Sequence, residues 1–226
     1  MMRNDHTPVT ADLFADQSPT TPGQTERIGE QAFVLRGFAL PWLDALLPAL
    51  EQVLQAAPFR QMVTPGGFTM SVALTSCGTL GWTTDRSGYR YTTHDPQTGL
   101  PWPAMPTVLR ALARAAAAEA AFEHFEPDAC LINRYLPGAR MSLHQDKNER
   151  SLSAPIVSVS LGLPAVFQFG GFERSDKYQR IGLFHGDVVV WGGADRLRYH
   201  GVLALKEGQH PRLGAQRINL TLRTAG

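Results

Sequence analysis

His144 and Asp146 stand two positions apart, and His200 follows far downstream. On a strand, residues spaced by two project to the same face. Two imidazoles and one carboxylate are the ligand set of a facial triad. Such a triad holds non-haem Fe(II) and leaves coordination positions open for a co-substrate and oxygen. A single H-x-D arises by chance in many chains of this length, so the reading needs a second signal. That signal is Arg217-Ile218-Asn219-Leu220-Thr221-Leu222-Arg223, which alternates strictly between polar and apolar residues.

At period 2, Arg217, Asn219, Thr221 and Arg223 share one face, and Ile218, Leu220 and Leu222 share the other. Two explanations are open at this point. The strand is half exposed with its polar face in water, or that face lines the inside of a barrel around an anionic ligand. Arginine suits the second reading, because its rigid fork binds carboxylates bidentately. The Cα atoms of Arg217 and Arg223 would lie roughly 20 Å apart on an ideal strand, so only side chains leaning together could share one small dicarboxylate.

The elements that must carry these residues follow from pattern. Residues 1–27 are rich in Pro, Thr, Asp and Gln and read as a disordered leader with a docking turn near Leu13 and Phe14. Ala32–Phe38 reads as a strand. Pro41–Ala57 reads as a helix with Pro41 in its first turn and Pro48 as a kink. Pro58 to Pro106 is Gly-, Pro- and aromatic-rich, with one clear strand at Phe68–Thr75 between long loops, and Thr107–Ala121 is an Ala-rich helix. Short strands follow at Cys130–Tyr135, Ile156–Leu161, Ala165–Phe169, Gln179–Phe184, Asp187–Trp191, Leu197–Val202 and Gln216–Thr224. Many short strands with Gly-rich turns predict a mainly β, α+β chain built on a sandwich or jelly-roll barrel. Gly170-Gly171 and Gly192-Gly193 read as tight turns, since neither begins a phosphate-binding pattern.

Composition narrows the function classes. The 226 residues, 43% of them hydrophobic, suffice for one large domain with a substantial core. Cys77 and Cys130 form no close-spaced pair, which points to a reducing, cytoplasmic setting. No apolar run reaches the ~18 residues of a membrane span, so no membrane partner is expected. A net charge of +1 argues against a long footprint on a nucleic-acid backbone.

Several segments together resemble the AlkB family of alkylation-repair dioxygenases. They are Asn133-Arg134-Tyr135, His144-Gln145-Asp146, the Arg217–Arg223 strand and Pro65-Gly66-Gly67-Phe68-Thr69-Met70, and the likeness runs from about Phe14 to Arg223. The resemblance implies a double-stranded β-helix core (about 128–224) with helices on one side and a nucleotide-recognition lid (about 58–105), in one domain over 28–226. It implies Fe(II), with 2-oxoglutarate and O₂ as co-substrates, and a monomer that demethylates damaged bases. The expected substrate is alkylated DNA, single-stranded or with its base flipped out, with RNA as a further candidate. His144, Asp146 and His200 become the implied iron ligands. Arg217 becomes the partner of the far carboxylate of 2-oxoglutarate, with Asn133, Tyr135, Asn219 and Arg223 completing that pocket.

On the substrate side, Trp82, Tyr89 and Tyr91 are aromatics in Gly-rich, polar surroundings. Enzymes that act on base atoms stack the extruded base on such rings. By pattern alone Trp82 could equally anchor a loop to the core; the resemblance implies that it stacks on the lesion, with His144 on the other side. Thr64 and Arg174 match substrate-side positions, although Arg174 also fits an exposed turn. Asn148 departs from the pattern: the bacterial enzymes carry Asp there, against the exocyclic nitrogen of the base. Asn keeps an acceptor and loses the charge. Two rival readings stay open, an Fe(II)/2-oxoglutarate hydroxylase of a protein or small molecule, and a cupin-like metal-binding module without catalysis.

Overall fold

The computed structural model describes residues 21–226. Leu13 and Phe14, the expected docking turn, lie outside the described residues. The chain forms β1 (Thr25–Arg27), β2 (Ala32–Leu35), α1 (Leu43–Ala56), β3 (Arg60–Val63), β4 (Thr69–Gly78), β5 (Gly81–Asp85), β6 (Gly88–Thr92) and α2 (Thr107–Glu119). It continues through β7 (Ala129–Tyr135), β8 (Met141–His144), β9 (Ile156–Gly162), β10 (Ala165–Phe169), β11 (Gln179–Leu183), β12 (Val188–Trp191), β13 (His200–Val202) and β14 (Arg217–Arg223). An eight-stranded sheet in the order β1-β2-β12-β9-β14-β7-β4-β3 faces a four-stranded sheet in the order β11-β10-β13-β8. Strands β5 and β6 make a separate hairpin. The two facing sheets are the jelly-roll core that the strand pattern predicts.

Both helices cover one face of the large sheet. Helix α1 buries Leu43, Leu46, Leu50 and Val53, the i, i+3, i+7, i+10 stripe of an amphipathic helix. Pro48 lies on its exposed side and the helix runs through it. Helix α2 buries Leu109, Leu112, Ala113, Ala116 and Ala117, and the small alanines let it approach α1 and the sheet closely. Ile218, Leu220 and Leu222 point into this layer together with Val157, Val159, Val188 and Val190. A fully buried leucine contributes about 1.5–3 kcal/mol, so the apolar face of β14 anchors the strand and dictates where its polar face must look. Cys77 and Cys130 sit opposite each other on β4 and β7 as buried free thiols.

Three expectations need correction. Thr25–Arg27 is a strand, not part of a leader: β1 pairs with β2 at the sheet edge, and Glu26 holds Arg36 at 2.6 Å. An edge strand needs no apolar face, so its sequence gave no signal. The 58–105 region holds β3, β5 and β6 beside the one expected strand. Finally, β8 was not expected, and it carries His144.

Candidate active site

A cavity of about 800 Å³ opens between the two sheets. Strand β13 pairs with β8 so that His200 sits opposite His144, with ring centroids 4.4 Å apart. Gly201 permits this approach, because a Cβ there would stand 2.8 Å from the Met141 carbonyl oxygen. Asp146 lies beyond the end of β8, so strand alternation does not place it. Two arginines do: Arg196 Nη1 donates to the Asp146 carbonyl and Arg223 Nη2 donates to Asp146 Oδ2, both at 2.6 Å. His144 Nε2 is then 3.7 Å from Oδ1, and His200 Nε2 is 3.5 Å from Oδ2. One ligand atom from each of the three residues falls within 4.8 Å of the others.

The imidazoles are prepared as ligands. His144 Nδ1 lies 2.9 Å from the Ser142 carbonyl and His200 Nδ1 3.0 Å from the Arg198 carbonyl. A carbonyl can only accept, so Nδ1 carries a proton in both rings and Nε2 is the nitrogen turned toward the centre, the arrangement typical of metal-bound histidine. Burial, then the neighbouring His200, pushes the His144 pKa down to about 4, so the ring is neutral near pH 7. Burial alone would raise the Asp146 carboxyl, but Arg223, His200 and His144 together hold it well below the usual carboxylate range. Two imidazoles and one carboxylate suit a divalent first-row ion, and these residues could hold Fe(II).

The polar face of β14 lines this cavity, through Arg217, Asn219, Thr221 and Arg223. Register builds the wall: Arg217 lies between Tyr135 and Gly162, and Asn219 between Asn133 and Ser160. Gly162, at φ +91°, turns the chain out of β9 where a Cβ would meet the Gln216 carbonyl at 2.3 Å. Arg217 is 1% exposed. Its Nη2 donates to Ser160 Oγ at 3.0 Å and its guanidinium lies 5.0 Å from the Tyr135 ring centroid. Among the described residues Nε and Nη1 have no hydrogen-bond partner, and neither has the Asn133 carbonyl oxygen. No carboxylate among the described residues pairs with Arg217, and burial pulls its pKa down. A buried cation with two idle donors is costly unless an anion completes it. A dicarboxylate such as 2-oxoglutarate fits that requirement.

Two members of the expected co-substrate pocket are otherwise engaged. The Asn219 amide donates to Ser158 Oγ (2.8 Å) and the Val159 carbonyl (3.0 Å), and its oxygen accepts from Thr221 Oγ1 at 3.0 Å. Arg223 is bound to Asp146, and its Nε stands 3.3 Å from Glu149 Oε1.

At the cavity mouth Trp82 and Tyr89 stack, with centroids 5.6 Å apart and planes 21° from parallel. Trp82 packs one side on the cluster of Met62, Leu74 and Leu131 while also lining the cavity. Thr64, Asn148 and Arg174 line it too, and Asn148 is exposed. Arg174 is held over the Tyr199 ring at 5.2 Å and donates to the Leu143 carbonyl, so it is no free turn charge. Tyr91 is not among the lining residues; its hydroxyl donates to Glu149 Oε1 at 2.9 Å. His94 bonds to Thr93, away from the cavity, and His185 and His210 pair with each other elsewhere. Sequence reasoning missed Glu149, Ser158, Ser160, Arg196 and Trp191. The alternation Ser158-x-Ser160 in an otherwise Val/Leu strand was a usable signal; the Glu149–Arg196 contact was not, because it is purely tertiary.

A jelly roll holding a two-histidine, one-carboxylate centre beside a buried, unpaired arginine is the site of an Fe(II)/2-oxoglutarate-dependent dioxygenase. Residues 32–223 match the 2OG-Fe(II) oxygenase superfamily. The alpha-ketoglutarate-dependent dioxygenase AlkB of Salmonella typhimurium is 59% identical over 95% of this chain and 97% of its own length. The protein of the same name from Escherichia coli is 57% identical over 95% of this chain and 98% of its own length. A solved structure described as that of OsALKBH1 superposes with a TM-score of 0.76 at 25% identity, covering 88% of this chain and 99% of that one. The chain belongs to the AlkB family of Fe(II)/2-oxoglutarate-dependent dioxygenases.

Proposed function

We propose that this enzyme oxidatively demethylates N-alkylated bases, 1-methyladenine and 3-methylcytosine foremost, in DNA and in RNA. The observation that carries the reading is the stacked Trp82–Tyr89 pair at the mouth of a cavity whose floor is the His144, Asp146 and His200 centre. An enzyme of protein side chains or small metabolites has no need of a half-buried ring stacked with an exposed one at its cavity, whereas an extruded base does. In the proposed assignment His144, Asp146 and His200 hold the iron, and Arg217 with Asn133 and Tyr135 holds 2-oxoglutarate. Trp82, Tyr89, Thr64, Asn148 and Arg174 face the nucleic-acid strand. Fe(II), 2-oxoglutarate and O₂, when bound, supply the oxidation that hydroxylates the N-methyl group, after which formaldehyde leaves and the base is restored. The chain's own residues orient and shield this chemistry. Arg217 fixes the far carboxylate, Arg223 and Arg196 hold Asp146 in place, and the aromatic pair keeps the base over the centre while excluding water.

We further assign residues 25–226, with β1 included, to one catalytic domain, with the lid in 58–105, acting as a cytoplasmic monomer. Among the described residues no helix is long and apolar enough to cross a membrane. The test is turnover on matched oligonucleotides carrying one 1-methyladenine or 3-methylcytosine, in DNA and RNA, with loss of the methyl group followed by mass. Demethylation of these and not of unmodified strands is expected. Absence of turnover on all of them, with 2-oxoglutarate still consumed, would overturn the nucleic-acid reading.

A further inference from the structure

The hairpin β5–β6 joins neither strand ladder and rests on the large sheet through side-chain contacts such as Thr84 Oγ1 to the Val63 carbonyl at 3.2 Å, and it carries both rings of the aromatic pair. It also carries Tyr91, which the substrate reading leaves without a use. The Tyr91 hydroxyl donates to Glu149 Oε1 at 2.9 Å and accepts from Arg223 Nη1 at 3.2 Å. The same Arg223 guanidinium donates through Nη2 to Asp146 Oδ2 at 2.6 Å. One planar side chain therefore joins the hairpin to the carboxylate of the metal centre.

The surroundings make this junction sensitive. Glu149 is 8% exposed; its Oε2 has no hydrogen-bond partner, and it stands 3.2 Å from Arg196 Nη2. Its Oε1 is 3.3 Å from Arg223 Nε, a nitrogen that likewise lacks a hydrogen bond. Among the described residues, the Tyr91 hydroxyl is thus the hydrogen-bond donor that satisfies Glu149. If the hairpin lifts, Glu149 Oε1 loses that donor, and Arg223, whose Nε already lies 3.3 Å from the same oxygen, can turn toward it. Turning would take Arg223 off the Asp146 carboxylate and leave Arg196 holding only the Asp146 backbone carbonyl. Conversely, anything that immobilises Asp146 immobilises Arg223 and, through Tyr91, the hairpin.

We infer that Tyr91 is a positioning residue that couples order in the β5–β6 hairpin to the carboxylate geometry of the metal centre. Substrate on the hairpin and metal on Asp146 then strengthen each other's binding by the same factor, as linkage requires. The inference rests on the demethylase reading only for the identity of what lies on the hairpin; the link between hairpin and metal does not depend on it.

The experiment uses the full chain, wild type and Tyr91→Phe, with Mn(II) as the metal probe. Amide hydrogen exchange across residues 81–92 is measured with and without Mn(II). Mn(II) affinity is measured with and without a 1-methyladenine oligonucleotide. In wild type, Mn(II) should slow exchange in the hairpin and the oligonucleotide should tighten Mn(II) about 10-fold, while Tyr91→Phe should bring both effects below about twofold. A role confined to stability would lower the melting temperature and leave both couplings intact, which overturns the inference. So does a wild-type hairpin indifferent to Mn(II). If Tyr91→Phe melts too low to assay, Glu149→Gln, which keeps the shape and removes the charge, must show the same loss of coupling. Slower exchange with Mn(II) that is lost in Tyr91→Phe, without any oligonucleotide effect, upholds the link and overturns the nucleic-acid reading instead.

Discussion

Arg217→Met separates the cost of a buried cation from its use. In the protein alone, Arg217 is fully enclosed, bonded once to Ser160 and stacked near Tyr135, with Nε and Nη1 unpartnered. A desolvated charge with incomplete partners costs several kcal/mol, and replacing such a group with an apolar side chain of similar length is often neutral or stabilising. The ring contact and the Ser160 bond offset part of that, at about 1–2 kcal/mol together. The unfolding free energy without co-substrate should therefore stay level or rise by about 1–2 kcal/mol. Binding of 2-oxoglutarate should behave oppositely. Two charge-assisted donors to one carboxylate are worth about 1.5–3 kcal/mol each, so a loss of about 3–6 kcal/mol, or about 150- to 20,000-fold in affinity, is expected. Calorimetric titration of 2-oxoglutarate into Mn(II)-loaded protein measures the second quantity, and urea unfolding the first. Affinity within about threefold of wild type would refute the assignment. A stability loss above about 3 kcal/mol would show that Arg217 is a structural residue.

Other expectations are more direct. Trp82→Ala should lower kcat/KM on methylated oligonucleotides by about 5- to 150-fold, from a stacking contribution of about 1–3 kcal/mol, while uncoupled 2-oxoglutarate consumption persists; a thermal melt collapsed to ambient temperature would instead make Trp82 a core anchor. Asn148→Asp should raise the ratio of cationic to neutral lesion turnover, and because Asn148 is exposed, screening limits the gain to about 2- to 5-fold; an unchanged ratio at fixed salt would remove charge at this position from lesion choice. The pair His185 and His210, with Arg212 beside it, should make stability fall with acid. Burial, then His210 and Arg212, depresses the His185 pKa to about 4, so the fold resists a proton that the unfolded chain accepts. Stability contributed by the neutral ring is complete above about pH 6.5 and is lost as pH falls toward 4, at about 1–2 kcal/mol between pH 7 and pH 5. His185→Gln should flatten that slope in urea titrations, and an unchanged slope would assign it elsewhere.

How much of this could be read from residues alone follows from which forces leave a local trace. Strand β14 was legible because period 2 is a local property, though which layer covers its apolar face was left open until the fold placed the helices there. The triad residues were legible by type, but their spacing misled: Asp146 is placed by Arg196 and Arg223, not by a strand. Strand β8 was missed because Met141-Ser142-Leu143-His144 is four residues long and half exposed. The β5–β6 hairpin had a turn signal at Asp85-Arg86-Ser87-Gly88, where Gly88 adopts φ +127°, but Gly-rich surroundings made it look like loop. Arg223 lines the cavity, but its pairing with carboxylates of the chain left no trace in the sequence. An inward arginine satisfies any nearby anion, and only the folded arrangement shows that Asp146 and Glu149 reach it first.

The central claim is that one cavity couples 2-oxoglutarate oxidation to removal of a methyl group from a base through His144, Asp146 and His200. The most direct measurement is the stoichiometry of succinate, formaldehyde and restored adenine from a 1-methyladenine oligonucleotide with Fe(II), run beside Asp146→Ala. Equal amounts of all three products in wild type and none in Asp146→Ala are predicted. Formaldehyde released without 2-oxoglutarate, or demethylation retained in Asp146→Ala, would contradict the account.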